Sequence, residues 1–133
     1  MDVLISDKES LERASAVLID ARFRRSDIQI DEINKTFVLS IWIPSHNRGR
    51  NATQREVTKR DGIIWQQYQL RFDSVANVEL MFLENVSFYE IGRIHLLSAH
   101  NLQIKGHYAV TIDVEIIGLK GRLRSTNVTR TKW

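Results

Sequence analysis

The chain has 133 residues, 43% of them hydrophobic and 26% charged, with a net charge of +3 and no cysteine. That is the length of one domain with enough apolar content to bury a core and too little charge imbalance to stay disordered. The missing cysteines exclude disulfides, thiol nucleophiles and thiolate metal centres, and they fit a reducing compartment.

The opening residues Met1 to Glu9 lack the basic region and long apolar stretch of a secretory signal. No apolar run is long enough to cross a membrane as a helix, so a cytoplasmic protein with no membrane partner is expected. Ser6-Asp7-Lys8-Glu9 has the Ser-x-x-Glu form of a capping box. Leu11, Ala14, Leu18 and Ala21 recur at helical spacing with Val17 beside them, and Arg22 to Arg25 suit the negative end of a helix dipole. These signals predict a helix from about 7 to 21.

A hairpin is expected next. Ile28 and Ile30 alternate with polar residues, Asn34-Lys35 supplies a turn, and Thr36 to Ile43 reads as a strand ended by Pro44. Phe37, Leu39, Ile41 and Ile43 share one face of that strand, and Val38, Ser40 and Trp42 share the other. Residues 45–61 contain hardly an apolar side chain and read as a long polar loop or a solvated hairpin arm.

Alternation resumes at Ile64, Tyr68, Leu70 and Phe72, continues through Val78, Leu80 and Phe82, and again from Phe88 to Leu97. Asn101 and Gly106 punctuate the chain before the clearest strand, Tyr108 to Ile116, in which every second residue is large and apolar. Gly118 and Gly121 bracket a turn into a last strand near Arg122 to Val128. About seven or eight closely spaced strands without intervening helices predict a mainly β fold of the α+β kind. The expected architecture is an antiparallel β-sandwich or curved sheet with one N-terminal helix, forming a single domain over 1–133 with its β part at about 27–130.

Residues 70–80 read Leu-Arg-Phe-Asp-Ser-Val-Ala-Asn-Val-Glu-Leu. This Phe-x-x-Val-x-Asn-Val-x-Leu run, followed by a Tyr-x-Val-x-Ile strand and a glycine turn, resembles a group of small bacterial β domains of unknown function. Some of these are regarded as immunity proteins against toxins delivered between cells. The resemblance implies a small intracellular binding domain and carries no catalytic residue across.

Candidate chemistry is sparse. His95, His100 and His107 lack the spacing of a metal motif, and His46 stands apart in the polar loop, so no cofactor or metal is expected. Asp31 with Glu32, and Asp113 with Glu115, lie near a turn or on a wet strand face, where paired acids solubilise rather than catalyse. No nucleophile elbow, phosphate-binding loop or dinucleotide glycine pattern occurs, so no residue argues for an enzyme.

Two binding readings follow. In the first, the chain is a non-enzymatic protein-interaction domain, immunity-type or self-associating. Its anchors are the outward-side tryptophans Trp42 and Trp65 and the loop arginines Arg48 and Arg50, because aromatics and arginine dominate interface hot spots. In the second, it binds nucleic acid weakly and without sequence preference. Arg48, Arg50, Arg55, Lys59 and Arg60 of the loop would then join Arg122 and Arg124 on one face of the last strand, with Trp133 as a stacking surface.

Overall fold

The computed structural model describes residues 2–44 and 64–131, which form ten β-strands, one α-helix and one short 3-10 turn. The strands are β1 (Asp2–Ile5), β2 (Arg22–Phe23), β3 (Ile28–Asp31), β4 (Thr36–Pro44), β5 (Trp65–Phe72), β6 (Val75–Phe82), β7 (Tyr89–Ser98), β8 (Asn101–Gly106), β9 (Val110–Ile116) and β10 (Gly121–Arg130). Helix α1 covers Lys8–Leu18. The antiparallel strands follow the order β1-β10-β5-β4-β2-β7-β8-β9-β6, with β3 also paired to β4. The sheet does not close: β1 and β6 lie at the two ends of the strand order.

The strand count exceeds the expected seven or eight because three elements carry little periodic signal. β1 precedes the helix and β2 has only two residues. β8 begins and ends at Asn101 and Gly106, residues read from sequence as turn markers. The polar loop predicted over 45–61 lies outside the described residues.

The helix is capped one residue later than its sequence suggests. Asp7 is the cap, and its Oδ1 accepts hydrogen bonds from the Ser10 backbone amide and hydroxyl, both at 2.8 Å. The Ser10 hydroxyl in turn accepts from the amides of Ser6 and Asp7. Ser10 is buried, so its short side chain reaches these amides where Glu9, exposed and paired with Arg13, does not. Leu11, Ala14 and Leu18 bury the expected stripe. The helix stops at Leu18, short of the expected Ala21: Ile19 turns extended and Asp20 adopts the left-handed conformation at φ 69°. The chain then joins the sheet through Asp20 N–H to Ile91 O and Ile91 N–H to Ala21 O.

The core lies on the concave side of the curved sheet. On one half, Val3, Leu123, Leu70, Leu39 and Ile28 form one cross-strand row, and Ile5, Gly121, Phe72, Phe37 and Ile30 form the next. On the other half, Ile94, Ile104, Ile112 and Leu80 line up, as do Leu96, Leu102, Val114 and Val78. Phe37, Leu39, Ile41, Leu70 and Phe72 are fully buried, and burying each such side chain stabilises the fold by about 1.5–3 kcal/mol. A Cβ on Gly121 would lie 2.7 Å from the Phe72 ring and 2.9 Å from Arg71 O, so this row closes only around a glycine.

Period-two alternation therefore sends the intervening residues to the convex, solvent-facing side. That side carries the candidate chemistry.

Candidate functional site

Three rows cross the outer face of the β1-β10-β5-β4 half. The first is Leu4, Arg122, Arg71 and Val38; the second is Asp2, Arg124, Gln69 and Ser40. Gln67, Trp42, Arg22 and Glu90 make the third, which crosses β2 onto β7. Arg122 and Arg124 share one face of β10 and are both exposed, as the sequence predicts. The structure adds Arg71 and Lys120, which sequence reasoning missed. Arg71 stands directly opposite Arg122, and Lys120 lines the same groove of about 680 Å³ with Leu4, Asp73 and Arg122. No sequence signal pairs Arg71 with Arg122, because their register is set by a contact between strands far apart in the chain.

Like charges directly opposite on neighbouring strands are destabilising. Asp73 relieves Arg71 in part through an Nε–Oδ1 contact of 3.0 Å, but both side chains remain about half exposed. The acids within the rows are Asp2, opposite Arg124, and Glu90, opposite Arg22. The face therefore carries an excess of positive charge held on rigid strands, with Leu4 standing 68% exposed beside it.

Trp42 and Trp65 lie on the outward side, as the alternation requires, but they are not in water: their exposures are 7% and 5%. Arginines roof them. The Arg22 guanidinium lies 4.7 Å from the Trp65 ring centroid and 4.2 Å from that of Phe88, and the Arg130 guanidinium lies 5.0 Å from that of Trp42. Cation–π attraction and the apolar arginine stems cover the indoles from outside, so the tryptophans belong to the packed structure. The loop candidates Arg48, Arg50, Arg55, Lys59 and Arg60, together with His46 and Trp133, lie outside the described residues.

The outer face of the other half carries an acidic patch at its β9-β6 edge, beside a row in which Arg93 stands opposite Lys105. Glu79 stands directly opposite Asp113, and Glu115 follows two residues along β9. Asp113 accepts a 3.0 Å hydrogen bond from Gln103. Asn77, Leu97, Ser98 and Asn101 complete a groove around these acids.

The histidines do not converge. His100 Nδ1 lies 3.2 Å from Ile116 O, and His107 Nε2 lies 2.6 Å from Asp20 Oδ1, tying the turn after β8 to the end of the helix. His95 sits on β7 with its Nδ1 buried and without a hydrogen-bond partner, and burial, then Arg93 and Lys105, push its pKa down. Among the described residues no group of three or more His, Asp or Glu side chains is placed to hold a metal ion, and no helix is long and apolar enough to cross a membrane.

Compared with protein-family models, curated proteins and solved structures, the chain matches none.

Proposed function

We propose that this chain is a non-enzymatic protein-interaction domain that presents the outer face of β10 and β5 to an acidic surface. The observation that carries this reading is the Arg71–Arg122 pair, two cations placed directly opposite one another and flanked by Lys120 and Arg124. Such a pair costs the isolated fold stability, and an anionic surface laid across it turns that cost into attraction. Rigid strands hold the guanidinium groups, so less freedom is lost on binding than with loop side chains. Arginine also pairs bidentately with carboxylates. An immunity-type role, which the resemblance implies, is one instance of such a domain. Trp42 and Trp65 support the face from within by holding Arg130 and Arg22 rather than by touching a partner.

A second reading is favoured by the same four exposed cations: sequence-independent contact with nucleic-acid phosphates. The burial of both tryptophans leaves that reading without a stacking platform of the kind single strands use, so it rests on charge alone.

The test is retention of polyglutamate and of a random-sequence DNA duplex by immobilised protein, compared with the Arg71→Glu/Arg122→Glu variant. Salt-sensitive polyglutamate binding that the variant loses supports the protein-interaction reading. Duplex binding that exceeds polyglutamate binding and disappears with the same substitutions supports the second. Equal behaviour of wild type and variant with both probes overturns both.

A further inference from the structure

Each outer face carries one patch of the same arrangement, and the two patches have opposite sign. On the basic face, Arg122 and Arg124 are two residues apart on β10, Arg71 faces Arg122 across the ladder, and Gln69 faces Arg124. On the acidic face, Asp113 and Glu115 are two residues apart on β9, Glu79 faces Asp113, and Asn77 faces Glu115. Each is a two-by-two patch with three like charges and an amide at the fourth corner. The patch dimensions follow from strand geometry and are equal: roughly 7 Å along the strand and about 5 Å across the ladder.

Both patches are accompanied by apolar side chains left in water. Leu4 is 68% exposed beside Arg122, and Leu97 and Met81 are 56% and 55% exposed beside the acids. Charge pairs at a protein surface contribute little by themselves. An interface therefore needs such apolar contact inside it and charges around it to set partner and register.

We infer that the acidic partner of the basic face is the Glu79–Asp113–Glu115 face of a second copy of this chain. The inference rests on the proposed interaction role and names its occupant. Contact between two different faces is head-to-tail, so an open assembly keeps one basic and one acidic face free at its ends and grows into longer chains until it closes as a ring. The like-charge cross-strand pairs Arg71–Arg122 and Glu79–Asp113 are neutralised in the same contact.

Sedimentation velocity tests this on three samples: the wild type, Arg71→Glu/Arg122→Glu, and Glu79→Arg/Asp113→Arg. Circular dichroism confirms that each variant is folded. In low salt the wild type is expected to grow in mass with concentration and to dissociate as salt is added, while each variant alone stays monomeric. An equimolar mixture of the two variants is expected to associate again, because each then offers the charge its partner lacks. Conservative Arg71→Gln/Arg122→Gln and Glu79→Gln/Asp113→Asn variants provide the same comparison if a reversal fails to fold. A wild type that stays monomeric in low salt up to its solubility limit overturns the inference, and so does a mixture that fails to associate. If the monomeric wild type still retains polyglutamate through Arg71 and Arg122, the interaction reading stands and only the second copy as partner falls.

Discussion

The Arg22 guanidinium lies 4.7 Å from the centroid of the Trp65 ring while its Nε is buried without a hydrogen-bond partner. The arginine therefore covers an indole at the expense of an unsatisfied donor. Truncating Trp65 to alanine is expected to destabilise the fold by about 3–5 kcal/mol, as for other buried large aromatics. Arg22→Met keeps most of the stem and removes the orphaned donor, so its loss should be much smaller. Urea unfolding of the two variants checks this. Equal losses would show that the guanidinium itself, not the covered indole, dominates.

Gly121 admits the Phe72 ring where a methyl group would lie 2.7 Å from it. Gly121→Ala is expected to cost about 1–3 kcal/mol through overpacking, read as a lower urea midpoint. Because β10 carries Arg122 and Arg124, the same substitution should also weaken retention of acidic probes. Gly118, which has no atom within 4 Å of an added Cβ, is the control site.

Replacing Arg122 with threonine should move stability and binding in opposite directions. Relief of the like-charge pair is expected to raise stability by about 0.2–1 kcal/mol. Affinity for polyglutamate should fall at the same time. Chemical denaturation and binding measured on one preparation separate the two effects. A joint loss of both would mean that Arg122 serves the fold rather than the face.

Acid should weaken the fold in two stages. Burial, then the neighbouring cations Arg93 and Lys105, hold the pKa of His95 below its ordinary 6.5. The unfolded chain thus binds that proton first, and stability falls as pH drops from the ordinary value through the lowered one. Asp7 and Asp31 are held below the carboxylate value of 3.8 chiefly by backbone hydrogen bonds from Ser10 and Asn34 respectively. Their contributions are present above that value and are lost as pH falls through the lowered ones. His95→Gln should flatten the upper stage and leave the lower one, which stability-against-pH curves from about pH 8 to 3 would show.

Ser10→Ala removes the hydroxyl shared by the Ser6 and Asp7 amides and by the Asp7 carboxylate. A loss of about 1 kcal/mol is expected, in the range of other helix caps. Ser6→Ala should cost little, since Ser6 contributes its amide to the cap and not its side chain. The reverse ranking would restore Ser6 as the cap that the Ser-x-x-Glu pattern suggests.

The fold was legible wherever one side of a strand is buried along its whole length. Phe37, Leu39 and Ile41, and Val110, Ile112, Val114 and Ile116, bury every second residue, so their period shows in the sequence. Tyr108 joins the same period by accident. It is half exposed and precedes Ala109, which turns at φ 66°. The pattern fades where the ladder is irregular, as between Ile91 and Arg93, Leu96 and Ser98, or Ser125 and Thr129. One extra residue on β7 at each of the first two places shifts the alternation by one, and two extra residues on β10 at the third interrupt it. The candidate site was half legible. Arg122 and Arg124 follow from strand geometry, but their company with Arg71 depends on a register that only the folded sheet creates. The arginines of β2 and β10 that lie against Trp65 and Trp42 are ones that no local pattern assigns to them.

The pairing of β1 with β10 joins Asp2 to Arg124 with nearly the whole chain between them. A ribosome releases the first of these strands long before it makes the second, so β1 waits without its partner until β10 has been made. Contacts so distant in sequence close late, so this pairing belongs to the last stage of the sheet's assembly and is slow. It also means that Arg122 and Arg124 reach their places opposite Arg71 and Gln69 only as β10 enters the sheet. A chain whose β10 is not yet in place cannot set Arg122 opposite Arg71.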